Sequence, residues 1–202
     1  QAKRQPGSAF KPFVYISAIK EGYSPATLVL DAPYVVDQGP GLAKWKPSNY
    51  TDKFYGLNTM RTGIEKSRNL MTIRLSDKIG MKKILKTAQD FKIGKYMDTN
   101  LSMSLGAGSV TLMSLTNAYA MIVNGGKEIT PTLIVSVYDK NGKQIVNNEV
   151  KKCTGCIQTN KEFSFNVPLV SSVQKEILDP RIAYQITSML EGVVLRGTGK
   201  KI

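Results

Sequence analysis

Histidine is absent from all 202 residues, which removes Ser-His-Asp and Cys-His catalysis from this chain together with most zinc sites. Any nucleophile here needs another base. Cysteine is scarce: Cys153 and Cys156, in KKCTGCIQ, are half a zinc site with no second half in the sequence. A local disulfide or two free thiols remain. The pair lacks a thioredoxin-like strand-helix context, so a small loop staple is expected before a redox role, which leans toward an oxidising compartment. No metal and no cofactor are expected.

Long apolar runs are missing too. No stretch approaches the roughly 18 residues of a membrane span, and no signal peptide opens the chain. The first residues, QAKRQPGS, read as the interior of a longer protein, so localisation has to come from elsewhere. Acids are few, 15 against 28 lysines and arginines, giving a net charge of +13. Such a balance suits nucleic acid, an acidic envelope polymer or an anionic membrane surface. The lysines of KIGMKKILKTAQDFKIGK, however, sit on helical faces rather than in one tract with interleaved aromatics. A solvated basic face is therefore expected, and a nucleic-acid partner is not.

What is present is core-forming material, 42% hydrophobic and 21% charged, enough for one substantial domain or two small ones. From Phe10 the residues Phe13, Val14, Ile16 and Ile19 fall at helical spacing up to Glu21-Gly22, with Ser8 at the start. PATLVLDAPYVV reads as an extended segment, followed by a loop through Tyr55 that holds the only tryptophan, Trp45. Helical patterns follow in MRTGIEKSR and LMTIRLSDKIG, the latter with Met71, Leu75 and Ile79 four apart, and Ser67 and Asn69 lie at their join. MKKILKTAQDF reads as a short helix closed by Gly94. VTLMSLTNAYAMIVNGG reads as a buried one with Leu112, Leu115, Ala118, Tyr119 and Ile122 inward and Gly125 at its end.

The pattern then switches to alternation. Leu133, Val135 and Val137 against Thr132, Ile134 and Ser136, with Asn141-Gly142, predict a hairpin with a type I′ turn. Residues 147 to 178 are polar and irregular, with a short strand expected at FSFNV. Asp179-Pro180 opens a last helix as cap and first residue, running toward Gly197. No internal repeat appears.

Ser8 and Lys11 stand three apart in QPGSAFKPF. Serine is common at helix starts as a cap, so an isolated SxxK carries little weight. Three residues are about one helical turn, however, and put hydroxyl and amine on one face. With histidine gone, lysine is the available general base. Its ordinary pKa of about 10.4 must be lowered, by burial or by nearby cations, before it can accept a serine proton at neutral pH. Ser67 and Asn69, in KSRNLMTIRL, are the second element: a hydroxyl able to pass a proton and an amide able to hold a substrate amide. Helix capping explains SxN alone equally well.

SxxK followed by SxN resembles the order of the penicillin-interacting serine acyltransferases and serine β-lactamases. RQPGSAFKPFVY, YSPATLVLDAP, WKPSNY, EKSRNLMTIRL, TLMSLTNAYAMIVNGG and AYQITSMLEGVVLRGTG are similar to consecutive blocks of the transpeptidase domain of class A penicillin-binding proteins. PATLVLDAP and WKPSNY separate the chain from β-lactamases, and no deacylating glutamate of the class A β-lactamase kind can be placed. Only residues about 140 to 178 fall outside the likeness.

The resemblance implies an α+β fold, of which residues 1–202 form a partial transpeptidase domain, mainly the helical part, with flanking sheet strands missing. It implies serine DD-transpeptidase chemistry on peptidoglycan stem peptides ending in D-Ala-D-Ala, at the periplasmic face of the bacterial inner membrane. Ser8 would attack, Lys11 take its proton, Ser67 help the terminal D-alanine leave, and Asn69 position the peptide. β-Lactam antibiotics would acylate Ser8. A glycosyltransferase domain and a membrane anchor would belong to the parent protein. The family's third motif, Lys-Thr-Gly, is not found, so this chain by itself is expected to be unstable or inactive, its helices exposing the faces that a five-stranded sheet would cover. The alternative is a non-catalytic remnant that touches anionic wall polymer through its basic face.

Overall fold

The computed structural model describes residues 2–37, 39–41, 43–95, 97–148, 151–154 and 169–201. Six α-helices and eight short strands among them make an α+β fold. Its centre is α1, Lys11–Lys20, entered through a 3-10 turn at Gly7–Phe10. Apolar residues surround this helix on every side, and Lys11 through Ile19 are all buried, as befits a central rather than a surface helix. Phe13 meets Phe91 and Tyr119 edge-on, at ring distances of 5.4 and 6.0 Å.

Around α1 pack α2 (Met60–Glu65), α3 (Asn69–Ile79), α4 (Met81–Asp90), α5 (Leu112–Val123) and α6 (Pro180–Leu195). Met71, Leu75 and Ile79 of α3 face the core, as their spacing predicts. So do Ile84 and Ala88 of α4, and Ile186 and Met189 of α6. Asp179 caps α6 by accepting the Arg181 N–H at 2.8 Å, and Pro180 follows where no N–H is needed. α2 is shorter than the pattern suggested. Thr59 caps it through the Thr62 N–H, and it stops two residues before Ser67.

The strands form only antiparallel pairs: β1 (Lys3–Arg4) with β4 (Val110–Thr111), and β2 (Leu28–Asp31) with β3 (Gly56–Thr59). The same holds for β5 (Ser136–Tyr138) with β6 (Gln144–Asn147), and β7 (Lys151–Thr154) with β8 (Leu169–Ser172). Along β2, Val29 and Asp31 turn inward while Leu28 and Leu30 face out. β3 was not expected, because GLNT carries no alternating apolar signal.

Two expectations change, the inward place of Leu112 and the type I′ turn. Leu112, expected inside, is 80% exposed, and Val123, Tyr184 and Leu195 likewise leave one side of α5 and α6 uncovered among the described residues. The β5–β6 hairpin forms, but its apolar residues are not buried, with Leu133 and Val135 exposed. Its turn is not type I′, since Gly142 has φ +78° while Asn141 is not left-handed. The Asp139 carboxylate accepts both the Asn141 and Lys143 N–H groups and so sets a longer loop. The FSFNV strand and the Cys153–Cys156 staple lie outside the described residues.

Candidate active site

Ser8 sits in the 3-10 turn ahead of α1, exposed at the surface. The turn is anchored from below: Gly7 N–H donates to Gly106 O at 3.2 Å, and a Cβ on Gly106 would stand only 2.1 Å from Gly7 O. Tyr119 Oη donates to Ala9 O at 2.8 Å. The capping explanation for Ser8 does not hold. The residue ahead of α1 is Phe10, with no side-chain cap, and the Ser8 hydroxyl instead meets Ser67 Oγ at 3.0 Å.

Lys11 is the first residue of α1, and only 1% of it is exposed. Its amine crosses to the α2–α3 junction, where it contacts Ser67 O at 2.7 Å, Ser67 Oγ at 2.9 Å and Asn69 Oδ1 at 2.7 Å. Burial penalises the ammonium form and lowers its pKa from 10.5 to about 7. The folded chain therefore holds a lysine whose neutral form is substantially populated at physiological pH.

Ser67 makes this possible through its backbone. With φ at +53° it lies in the left-handed region, uncommon for a serine, and this turn directs both its carbonyl and its hydroxyl toward Lys11. The Ser67 N–H to Ile64 O and Arg68 N–H to Gly63 O bonds close the end of α2 beneath it. Asn69 is the first residue of α3, but its side chain does not cap the helix: Nδ2 donates to Ser48 O at 2.9 Å and Oδ1 faces Lys11.

The chemistry follows from donor counting. A neutral amine has two N–H groups and one lone pair. Ser67 O and Asn69 Oδ1 can only accept, so they take the two N–H bonds and leave the lone pair to Ser67 Oγ. As the hydrogen bonds stand, Lys11 Nζ donates to Ser67 Oγ and Ser67 Oγ donates to Ser8 Oγ; with the amine neutral and both hydroxyls turned round, the same contacts can carry a proton from Ser8 Oγ through Ser67 Oγ to Lys11 Nζ. The hydrogen bonds of Lys11 go to Ser67 and Asn69, so Ser8 reaches it through a second hydroxyl rather than by the direct contact that SxxK spacing suggests.

All four residues predicted from sequence, Ser8, Lys11, Ser67 and Asn69, converge here. Sequence reading missed those that hold them. The buried Glu65 receives a two-pronged contact from Arg196, at 2.6 and 3.1 Å, fixing the last turn of α2. Asn49 caps α3 from a distant loop. WKPSNY and RGTG were visible blocks, but neither Asn49 nor Arg196 carries a local signal for these contacts. Among the described residues no cluster of metal-ligating side chains occurs.

The fold is that of penicillin-binding transpeptidase domains. It superposes on penicillin-binding protein 1A of Haemophilus influenzae with a TM-score of 0.82 at 25% identity, covering 100% of this chain and 32% of that one. Penicillin-binding protein A of Mycobacterium tuberculosis, solved as an imipenem acyl-enzyme complex, shares the fold at TM-score 0.69 and 18% identity, over 95% of this chain and 44% of that one. The chain belongs to the penicillin binding protein transpeptidase domain family, whose model matches residues 1–201. Penicillin-binding protein 1A of Rickettsia conorii is 41% identical over 203 residues, 98% of this chain and 25% of that protein. The Pseudomonas aeruginosa protein of the same name is 30% identical over 230 residues, 100% of this chain and 28% of its length. The chain thus spans about a quarter of the length of these curated relatives.

Proposed function

We propose that this chain carries the nucleophile and base of a serine D-Ala-D-Ala transpeptidase that cross-links peptidoglycan stem peptides. The observation that carries the reading is the buried Lys11 amine, bonded to Ser67 and through it to Ser8. Ser8 Oγ attacks the carbonyl carbon of the penultimate D-alanine while its proton moves through Ser67 to Lys11. The ammonium passes that proton through Ser67 to the leaving nitrogen, terminal D-alanine departs, and an ester on Ser8 remains. An amine from a second strand attacks the ester, forms the cross-link and releases Ser8. Asn69 has one Nδ2 hydrogen left after its bond to Ser48 O, and this hydrogen is free for a substrate carbonyl.

β-Lactams acylate Ser8 by the same attack. The parent protein acts at the periplasmic face of the bacterial inner membrane. No helix of the described residues is long and apolar enough to cross a membrane. The uncovered side of α5 and α6 is the face against which the sheet implied by the family likeness would pack. The test is labelling of the full-length protein with a fluorescent penicillin. Wild type is expected to label and Ser8→Ala not to; label that persists in Ser8→Ala would remove Ser8 as the nucleophile.

A further inference from the structure

Asp31 is a fully buried carboxylate that the proton relay does not use. Its Oδ1 accepts from Asn49 Nδ2 at 2.8 Å. Its Oδ2 has no hydrogen-bond partner among the described residues, and Arg68 Nε stands 3.9 Å away. A carboxylate is costly in such a place, and an apolar residue would suit an inward position on β2 better.

The neighbouring amides explain its presence. Asn49, 3% exposed, gives its Nδ2 hydrogens to Asp31 and to Lys53 O, both acceptors only. That fixes the amide orientation, so Asn49 Oδ1 must point to the start of α3, where it accepts the Asn69 N–H at 2.9 Å and the Leu70 N–H at 3.4 Å. Arg68, the residue ahead of α3, offers no side-chain cap, so these are orphan donors that Asn49 satisfies from a distant loop. The adjacent Ser48 carbonyl takes Asn69 Nδ2 and so turns Asn69 Oδ1 to Lys11. Two successive amide orientations thus run from Asp31 to the general base.

We propose that Asp31 and Asn49 are positioning residues of the acylation reaction: the buried pair sets the orientation of Asn69, and Asn69 with the Ser67 carbonyl aims the Lys11 lone pair at Ser67 Oγ. The proposal rests on the acyl-transfer reading above. The charged and titratable groups around the pair are Arg68 from the α2–α3 junction and Tyr15 from α1, whose phenol burial pushes up and whose ionisation Asp31 further opposes. Arg68 also lies over the Tyr55 ring, 3.3 Å from its centroid.

The test is the rate of β-lactam acylation in the full-length protein across pH 5 to 10. Asn49→Asp keeps an acceptor for α3 but sets a second carboxylate against Asp31. It is expected to slow acylation by ~10- to 100-fold, the scale of a small misplacement of reacting groups, and to move the acid limb of the profile to higher pH. The exchanged pair, Asp31→Asn with Asn49→Asp, restores the donor-acceptor contact between the two side chains while losing the bond to Lys53 O, and is expected to recover part of the rate and shift the limb back toward its wild-type position. Asp31→Leu, whose melting curve is read alongside, provides a second single change with the same expected loss. Equal rates in wild type and Asn49→Asp, or equal losses in the single change and the exchanged pair, would overturn the proposal. Failure of wild type itself to acylate would instead overturn the acyl-transfer reading.

Discussion

Lys11 and the lysines of α4 are the same side chain in opposite settings. Lys82, Lys83 and Lys86 stand exposed on α4, where Lys83 pairs with Glu21 and Lys86 with Asp90. Lys11 lies inside the most buried helix of the molecule, faced by two carbonyl oxygens and a hydroxyl rather than by a carboxylate. The exposed lysines contribute most of the basic charge behind the net +13, whereas Lys11, the one buried lysine among the described residues, has the lowered pKa that the proposed general base needs. Charge count reports the surface, and desolvation decides the function.

The contrast can be broken most severely at the base itself. In the full-length protein, Lys11→Met is expected to slow penicillin acylation by about 10³-fold or more, within the range general-base removal costs, while Lys82→Ala with Lys86→Ala leaves the rate within about two-fold; stopped-flow acylation kinetics compare the two. Ser67→Ala should follow, with a loss of about 10²-fold, because the hydroxyl bridging Ser8 to Lys11 is removed while both ends remain. A Ser67→Ala rate equal to wild type would mean that Ser8 and Lys11 communicate directly.

Stability sharpens the comparison with the opposite sign. Since the folded pKa of Lys11 is about 7 against 10.5 for the free side chain, the unfolded chain binds more protons between those values, and Lys11 weakens the fold fully below pH 7. That penalty fades as pH rises from 7 toward 10. Lys11→Met should therefore melt higher than wild type at pH 6, with the gap narrowing steadily above pH 7 in thermal denaturation. The smallest effect belongs to α4: Lys86→Ala removes an exposed pair with Asp90 at 3.1 Å and should change stability by less than about 0.5 kcal/mol by urea denaturation.

The same division governs what the sequence made legible. Local signals sufficed for α3, whose Met71, Leu75 and Ile79 repeat faces the core, and for the Asp179-Pro180 start of α6. The four candidate residues, whose side chains the fold brings together, were picked out by spacing together with family likeness. The path between them was not, since Lys11 bonds to residues on another helix junction and the left-handed turn at Ser67 has no mark in KSRNL. Asp31 and Asn49 escaped notice for the same reason, as their partners are distant in the chain. Leu112 misled the pattern reading because an apolar stripe says that a face seeks cover, not that these residues supply it.

The central claim is that a lysine neutralised by burial draws the Ser8 proton through Ser67. The measurement closest to it is the pH dependence of the acylation rate constant of the full-length protein with a penicillin whose own charge is constant from pH 5 to 10. The rate should rise about ten-fold per pH unit below the titration of Lys11 and level off above a midpoint near pH 7. A profile still climbing at pH 9, or one unchanged by Lys11→Met, would contradict it.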